Sequence, residues 1–332
     1  MMEQKVSRSM DITEVARSRL LGLLRAAAPA SAQCVLLCDG QTLRVLSHAV
    51  RMSELLEAAP QIMLVDSLHS PIETRTPSAL AAGMDVIYFL SPTLSSVEAA
   101  LADHEDAAGP LDNPTYGGLV HFVFSRRLPD TLLQRLRESA SARRIATLRE
   151  AHLQYLPLPG AAFSLDAPGA FGALFGPSGD ASRAAALGAL AEQVCTVYGS
   201  LGLPAPRVRY ALHGHPVSRT FAEHVDALLR LQPSRVRRES RADGVVSGGS
   251  PRRVALRRST LLILDRSFDP LTPLLHDFSF EALAEGLGLL SKGRYVRPAG
   301  KGEALLRESD AVWSDLRRAY LPLDVVPVSI AL

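Results

Sequence analysis

Two carboxylates stand close together after a short apolar run, in the stretch "TLLILDRSFDPLTPLLHDFSFEAL" from Thr260 to Leu283. Asp265 ends the run, and Asp269 follows directly before Pro270. A strand that ends in aspartate is typical of phosphatases in which one carboxylate attacks and a second protonates the leaving group. Those enzymes carry the second aspartate two residues after the first, whereas here the spacing is four. An α/β hydrolase or phosphatase that uses Asp265 is therefore the alternative to a structural corner in a binding protein.

The same residues have a purely structural interpretation. We expect the strand before Asp265 to be buried, so its carboxylate must pair with Arg266 or accept backbone N–H bonds. Asp269 and Thr272 can cap the next helix, and Pro273 suits its first position. The helix predicted over residues 273–290 would direct to a core the side chains of Leu274, Leu275, Phe278, Leu283 and Leu287.

Other catalytic and metal-binding patterns are incomplete. To form a phosphate loop, the run "AGKGE" would need a glycine and a hydroxyl at the positions that Tyr295 and Gly302 occupy. His213 and His215 alternate at strand spacing, but no third zinc ligand accompanies them in the sequence. No convergent set of acid and base emerges. We therefore predict a binding protein rather than an enzyme, with no metal and no cofactor.

The composition excludes several classes of protein. Of the 332 residues, 47% are hydrophobic and 21% charged, and the net charge of +2 provides no field that would attract nucleic acid. No apolar run is long enough to cross a bilayer. Cys34 and Cys38 lie on one predicted strand with Cα atoms roughly 13 Å apart, too far for a disulfide. Together with Cys195 in a predicted helix, they indicate reduced, buried thiols in a reducing compartment.

Strands and helices alternate through the first part of the chain. Short apolar runs that end at Asp39 and Asp66 are typical of buried parallel strands. The alternation predicts a doubly wound parallel α/β sheet over residues 12–150, with a further extended segment at residues 41–50. The predicted strands cover residues 34–39, 61–66, 85–92 and 119–125, and the predicted helices cover residues 11–27, 52–59, 93–106 and 129–145.

A second group of elements follows. Residues 166–183 form a Gly- and Pro-rich connection. Residues 232–259 are basic, contain Gly and Ser, and lack apolar periodicity, which predicts a mobile loop. Between these segments the apolar pattern predicts helices over residues 183–202 and 218–232 and a strand over residues 206–212.

The stretch "LLILDRSFDPLTPLLHDFSFEAL" resembles the signature of the SM family, the syntaxin-binding proteins that chaperone SNAREs in vesicle fusion. Ser267 stands where the family usually has glycine. The resemblance extends over about residues 12–320, through "CVLLCDGQTLRVLSHAVRMSELLEA", "LQYLPLPGAAFSLD", "LGALAEQVCTVYGSLGLPAPRVRY" and "LLRESDAVWSDLRRAYL". It implies a structural corner, rather than an active site, made of Asp265, Arg266, Phe268, Asp269 and Pro270.

The resemblance implies an arch-shaped multidomain α/β protein with parallel, doubly wound sheets and a mainly helical third domain. Residues 1–150 correspond to a first, syntaxin-binding α/β domain, residues 151–258 to the first segment of a second α/β domain, and residues 260–332 to the start of the third. Family members are about twice as long, so the chain is expected to end before the third domain is complete. Without the returning segment of the second domain, its sheet should expose an edge or an apolar face.

The resemblance also implies a function. The chain is expected to bind a syntaxin-type SNARE, and the assembled SNARE complex, as a regulator of vesicle docking and membrane fusion in intracellular transport or exocytosis. Its expected localisation is cytoplasmic, with peripheral membrane association through its partners only. No binding of nucleic acid is expected.

Two partner-binding surfaces follow from the alignment with the family. In the cleft between the first and third domains, the charged positions that would meet the syntaxin bundle are Asp39, Arg44, Arg51, Glu54 and Asp66. On the outer face of the first domain, a pocket for the N-terminal peptide of syntaxin would be formed by Leu133, Ile145, Leu148 and Glu150. Taken alone, the first set also fits ordinary charges at strand ends and in loops, and the second fits core packing.

Overall fold

The computed structural model describes most of the chain. No helix in this described part combines the length and the apolarity that crossing a membrane requires. The described residues are 11–70, 83–105, 116–158, 161–177, 179–212, 215–231, 259–275, 277–291, 294–296, 302–306 and 310–319.

A five-stranded parallel sheet forms the centre of the first unit, in the order β2-β1-β3-β4-β5. All four neighbouring pairs are parallel. Every residue of β1 and β4 is buried, because helices cover both faces of the sheet. The strands are β1 (Cys34–Cys38), β2 (Ile62–Ser67), β3 (Asp85–Leu90), β4 (Val120–Phe124) and β5 (Ile145–Glu150).

Helices pack on both faces of this sheet, which confirms the predicted doubly wound fold. One apolar core joins the first three helices to side chains such as Leu36 and Phe89, and the other joins the last two to Tyr88 and Phe122. The strict alternation of these strand residues divides them between the two cores. The helices are α1 (Ile12–Ala27), α2 (Gly40–Ala49), α3 (Met52–Ala58), α4 (Leu94–Glu105) and α5 (Asp130–Glu138).

Two predictions in the first unit are wrong. Residues 41–50, predicted to be extended, lie almost entirely in α2, because Thr42, Val45, Leu46 and Ala49 recur at helical spacing and are all buried. The helix predicted over residues 129–145 stops at Glu138. A 3₁₀ turn (Ala140–Arg144) follows it, and then β5, a strand that was not predicted from the sequence.

The second unit begins with a small antiparallel hairpin of β6 (Leu156–Leu158) and β7 (Ala162–Ser164). A short helix, α6 (Ala170–Phe175), lies within the segment predicted to be only a connection. The long helix α7 (Asp180–Ser200) is followed by Gly202 at a φ of 63°, as expected for a glycine that ends a helix. The strand β8 (Arg207–Tyr210) and helix α8 (Val217–Leu231) come next, and the predicted loop at residues 232–259 falls almost wholly outside the described residues.

Strand β9 (Thr260–Ile263) pairs in parallel with β8. This pairing joins the first residues of the 260–332 unit to the sheet of the 151–258 unit. Helices α7 and α8 cover one face of the pair through Val194, Val225 and their neighbours. Towards the opposite side, Leu262 and Leu264 are 57% and 49% exposed, so β9 is not the buried strand that the sequence predicted.

The last described residues form a small unit that is not mainly helical. A three-stranded antiparallel sheet of β10 (Leu290–Ser291), β11 (Arg294–Val296) and β12 (Glu303–Leu305) packs with two short helices, α9 (Phe280–Gly286) and α10 (Ala311–Leu316). Its core contains Ala284, Leu290 and Trp313.

The helix predicted over residues 273–290 is mostly absent. Asp277 accepts a hydrogen bond from the backbone N–H of Ser279 at 2.8 Å, and Ser279 caps α9. These local side-chain bonds compete with a continuous helix, and the helix starts only at Phe280. Of the five side chains that were expected in a core, Leu283 is half-buried, and four are exposed: Leu274, Leu275, Phe278 and Leu287.

The three thiols give a direct test of this packing. Burial raises the pKa of Cys34 and of Cys195 to about 12, and it also raises the pKa of Cys38. Because the thiolate is the reactive form, a thiol-specific chromogenic reagent at pH 7 should modify none of the three in the folded chain. All three should react after unfolding in guanidinium chloride. Rapid modification of any one without denaturant would contradict the packing described for its strand or helix.

Candidate functional site

The corner at Asp265 and Asp269 consists of two consecutive 3₁₀ turns, Arg266–Phe268 and Thr272–Leu274. Asp265 Oδ1 accepts hydrogen bonds from the backbone N–H of Ser267 at 3.0 Å and from the Ser267 hydroxyl. Asp269 Oδ1 accepts from the backbone N–H groups of Leu271 and Thr272 at 3.2 and 3.1 Å, and Oδ2 accepts from the Thr272 hydroxyl. Each carboxylate therefore caps its own turn, as the structural interpretation predicted.

The electrostatics of this corner do not suit acid–base catalysis. Hydrogen bonds from Ser267 lower the pKa of Asp265, and hydrogen bonds from Thr272 lower the pKa of Asp269. A carboxyl group with a lowered pKa is ionised at neutral pH and has no proton to give a leaving group. Among the described residues, no three His, Cys, Asp or Glu side chains cluster closely enough to hold a metal ion.

The corner is capped, but it is not packed. Phe268 is 61% exposed and Leu271 is 68% exposed, and both Arg266 and Pro270 also face solvent. The strand that leads into the corner was predicted to be buried. Among the described residues, β9 instead lies in a two-stranded sheet that packs against α7 and α8.

Asp39 does not lie in the cleft as a free charge. Its side chain is only 3% exposed and caps α2 through the backbone N–H groups of Gln41 and Thr42, at 3.1 and 2.9 Å. Its other oxygen accepts from the backbone N–H of Ser91 at 2.6 Å and from the Ser96 hydroxyl at 2.9 Å. The position at the carboxyl end of β1 is as predicted. The hydrogen bonds described for this carboxylate are all to groups within the chain, and its partner-binding role stays a prediction.

The other four predicted cleft charges lie nearer the surface. Arg44 is exposed on α2 and forms an ion pair with Asp166, with 2.9 Å between Nε and Oδ2. Asp66 is half-buried near the carboxyl end of the edge strand β2, where it accepts from the backbone N–H of Ser67 at 2.7 Å and from the Ser70 hydroxyl at 3.4 Å. These two residues are thus engaged within the chain, on different elements.

Arg51 and Glu54 form the start of α3. The Glu54 carboxylate accepts a hydrogen bond from the backbone N–H of Arg51 at 2.9 Å, which is half of a capping box. The Arg51 guanidinium reaches Asp310 in the third unit, with 3.3 Å from Nη2 to each carboxylate oxygen. The cleft charges at positions 51 and 54 are therefore brought together at one helix end, opposite the third unit.

The apolar part of this surface was not predicted from the sequence. Met52 and Leu56 are 52% and 43% exposed on α3, four residues apart, while Leu55 between them is buried. On the adjacent edge strand, Met63 and Leu64 are 54% and 38% exposed. The sequence pattern that could have predicted this surface is the spacing of Met52 and Leu56, which places both on one face of α3, away from the buried Leu55.

A cavity of about 490 Å³ separates this part of the first unit from the third. Its walls are apolar side chains of α2 and α3, with charged groups from both units. The lining includes Leu43, Leu46, Val50, Arg51, Leu55, Arg294 and Glu303.

Three of the four residues predicted to bind a terminal peptide lie on β5, and the fourth, Leu133, lies on α5. A register shift between Val120 and His121 places Ile145 opposite Val120 and Leu148 opposite Phe122, so both face the core that α5 covers. Leu148 is 39% exposed on β5, at the edge of the sheet, and Leu133 is 37% exposed on α5.

Glu150 and Ile145 are less accessible than these two leucines. Glu150 Oε1 accepts from the backbone N–H of Leu128 at 2.9 Å, and its Oε2 lies 3.5 Å from His152 Nε2. Ile145 is half-buried against the core. On β5, Leu148 and Glu150 face the same side of the sheet, opposite Phe122 and Phe124 of β4.

Similarity to known proteins identifies the family of this chain. A family model described as the Sec1 family matches residues 34–322. The chain belongs to the Sec1 family. Relatives of this Sec1 chain include the protein transport protein sec1 of Dictyostelium discoideum, 28% identical over 93% of this chain and 49% of the relative. The SNARE-interacting protein KEULE of Arabidopsis thaliana is 27% identical over 93% of this chain and 46% of its own length.

Solved structures give the same fold. The SM protein Vps45 in complex with the Qa SNARE Tlg2 is 26% identical, with a TM-score of 0.70 over 94% of this Sec1 chain and 50% of that chain. The Unc18 protein of the Unc18–syntaxin 1 complex from Monosiga brevicollis has a TM-score of 0.72 at 23% identity. The predicted resemblance and the parallel α/β fold are confirmed. The chain spans about half the length of the relatives it matches.

The role assigned to Asp39 can be tested by stability. Asp39→Asn removes a charged acceptor from a buried site with donors on three segments, so the free energy of unfolding should fall by about 1–3 kcal/mol. Urea denaturation measures this change. The matched control is Asp265→Asn, which alters a capping residue nearer the surface and should cost clearly less. Equal losses for the two variants would contradict the distinction between a buried and a surface cap.

Proposed function

We propose that this Sec1-family chain binds a SNARE of the syntaxin, or Qa, class and thereby regulates vesicle docking and membrane fusion in intracellular transport or exocytosis. The observation that carries the proposal is the family match over residues 34–322, together with the likeness to Vps45, whose structure is a complex with a Qa SNARE. The relative KEULE is itself named as a SNARE-interacting protein.

The first contact surface in this proposal is the α3 corner, defined as Arg51, Met52, Glu54 and Leu56. It combines a cation and a carboxylate with two exposed apolar side chains on a short, rigid helix. SNARE motifs are helical, and a helix docks through apolar anchors flanked by charges. Arg51 would meet a partner carboxylate, while Met52 and Leu56 would pack against apolar positions of the same helix.

The second contact surface is the α5–β5 face, with Leu133, Ile145, Leu148 and Glu150. An extended peptide from the N-terminus of the SNARE would place an apolar side chain between Leu133 and Leu148. A basic residue of the peptide would approach Glu150, whose Oε2 lies beside His152. Leu133 and Leu148 are 37% and 39% exposed. This exposure supports the proposal, because a bound peptide would remove apolar surface of both side chains from water.

The remaining expectations belong to the same proposal. The chain acts by binding and not by turnover, and it resides in the cytoplasm with membrane association through its partners, including the assembled SNARE complex. Its first domain covers residues 1–150, residues 151–258 form the first segment of its second, and residues 260–332 begin its third. Neither a metal nor a cofactor takes part.

Reversal of the charge at Arg51 tests the cleft surface. Arg51→Glu places a carboxylate where the partner also presents one, so the affinity for the SNARE should fall by roughly 1–3 kcal/mol if the contact is partly desolvated. Isothermal titration against cytosolic domains of Qa SNAREs from the same organism measures the change. Arg230→Glu, on an exposed position of α8, is the matched control and should bind as the parent does. Unchanged affinity of the Arg51 variant would remove Arg51 from the site.

The same titrations separate the two surfaces. Leu148→Asp should weaken binding of the complete cytosolic domain but have no effect on a SNARE that lacks its N-terminal segment. Arg51→Glu should weaken binding of both forms. If Leu148→Asp affects both forms equally, the α5–β5 face is not the peptide site.

The alternative enzyme is tested at the corner. The parent should not hydrolyse p-nitrophenyl phosphate above the background rate, because Asp265 is ionised and its carboxylate caps its own turn through Ser267. Robust hydrolysis by the parent that disappears in a well-folded Asp265→Asn variant would instead establish a phosphatase that uses this aspartate. The melting temperature of the variant, measured by circular dichroism, provides the folding control.

A further inference from the structure

Two arginines connect the first unit to the third across the cleft. Arg51 of the first unit contacts both carboxylate oxygens of Asp310 at 3.3 Å. Arg294 of the third unit forms an ion pair with Glu303, 2.8 Å from Nε to Oε2, and donates from Nη1 to the backbone carbonyl of Ser47. Each unit thus contributes one arginine to a contact with the other, and both arginines line the cavity between the units.

The position of Asp310 is unusual for its place in the chain. It precedes α10 as the N-cap residue, where an aspartate commonly accepts hydrogen bonds from the first N–H groups of the helix. Its carboxylate makes no such capping bond and is directed to Arg51 instead. The contact with the first unit therefore takes the place of a local bond that the same side chain could make.

The Arg294 contact lies at the other end of the same surface. Ser47 belongs to the last turn of α2, where carbonyl groups lack helical partners and a cation is favourable. Arg294 thus binds where α2 ends, and Arg51 stands where α3 begins. The two contacts are on either side of the bend between α2 and α3, which is part of the proposed partner surface.

We propose that the Arg51–Asp310 pair is an intramolecular clasp that holds the cleft closed, and that a SNARE opens it by replacing the Asp310 carboxylate with one of its own. This inference rests on the proposed function. Asp310 and a partner carboxylate compete for one guanidinium, so the clasp inhibits binding until it is displaced. Once the ion pair is broken, the Asp310 carboxylate can cap α10. The capping bond offsets part of the free energy lost with the ion pair.

The exposure of the pair fits a clasp that opens readily. The side chains of Arg51 and Asp310 are 42% and 37% exposed, so water screens their attraction. Loss of an exposed ion pair of this kind should change the ratio of open to closed cleft by roughly 1.4- to 5-fold. A partner that makes several contacts can overcome this small preference for the closed cleft. A small anion from solution, which would contact only Arg51, cannot.

Opening of the clasp can be measured without any partner. The full chain carries Glu57→Cys on α3 and Val312→Cys on α10 with a spin label at each, and the three native cysteines are buried and stay unlabelled. Pulsed electron resonance should show a population at longer distance in Asp310→Asn that is about 2- to 5-fold larger than in the parent. Asp315→Asn, on the same helix, is the matched control and should leave the distances unchanged.

A double variant with the two charges exchanged distinguishes loss of the ion pair from unfolding of the third unit. The double variant Arg51→Asp with Asp310→Arg restores an opposite pair and should return the short distance that Asp310→Asn loses. An Asp310→Asn distribution identical to that of the parent would overturn the clasp. So would a charge-exchanged variant that stays open like the single one.

Binding of the SNARE tests the inhibitory role. Against the cytosolic domain of a Qa SNARE that the parent binds, Asp310→Asn should raise the affinity by about 2- to 5-fold, and Asp315→Asn should not. Equal affinities despite an opened cleft would overturn the inhibition. If the parent binds none of the organism's Qa SNAREs, the proposed function fails, while the label distances still decide whether the clasp exists.

Discussion

The buried carboxylate of Asp39 is the interaction on which the arrangement of the first unit depends. A charge that is only 3% exposed must be neutralised by hydrogen bonds, or its desolvation would cost several kcal/mol. Asp39 finds its donors on α2, at the end of β3 and in the first turn of α4. It therefore joins the carboxyl ends of two adjacent parallel strands to the helices that follow them. The ends of β1 and β3 cannot shift against each other without leaving this charge unsatisfied.

The geometry of the proposed SNARE surface follows from that constraint. Asp39 sets where α2 begins, and the buried Val45, Leu46 and Ala49 set the face that α2 turns to the core. The helix ends just before Arg51, whose backbone N–H is capped by Glu54 at the start of α3. The charges and exposed apolar groups of the α3 corner are therefore carried by short elements fixed at both ends. A surface held in this way loses little conformational entropy when a partner binds.

Much of the fold could be predicted from the sequence, because apolar runs and the alternation of strands and helices are local signals. The failures arose where distant groups decide the outcome. Asp39 looks like any charge at a strand end, and the donors that bury it, Ser91 and Ser96, are more than fifty residues away. Leu274 and Leu275 are a different case: they have a helical pattern, but the local bond from Ser279 to Asp277 and the Ser279 cap delay the start of the helix to Phe280. The register shift that brings Ile145 and Leu148 to one face depends on β4, which no short stretch of sequence reveals.

Strong and weak electrostatic contacts are divided between the inside of the first unit and its boundary with the third. Inside, the Asp39 carboxylate accepts several short bonds away from water, and such a network is expensive to break. At the boundary, the Arg51–Asp310 pair is longer and about two-fifths exposed, so it contributes little and is screened by salt. If both were strong, the cleft would be locked. If both were weak, the α3 corner would have no fixed shape to present. A rigid surface closed by an exchangeable ion pair lets the partner's own charge decide when the cleft opens.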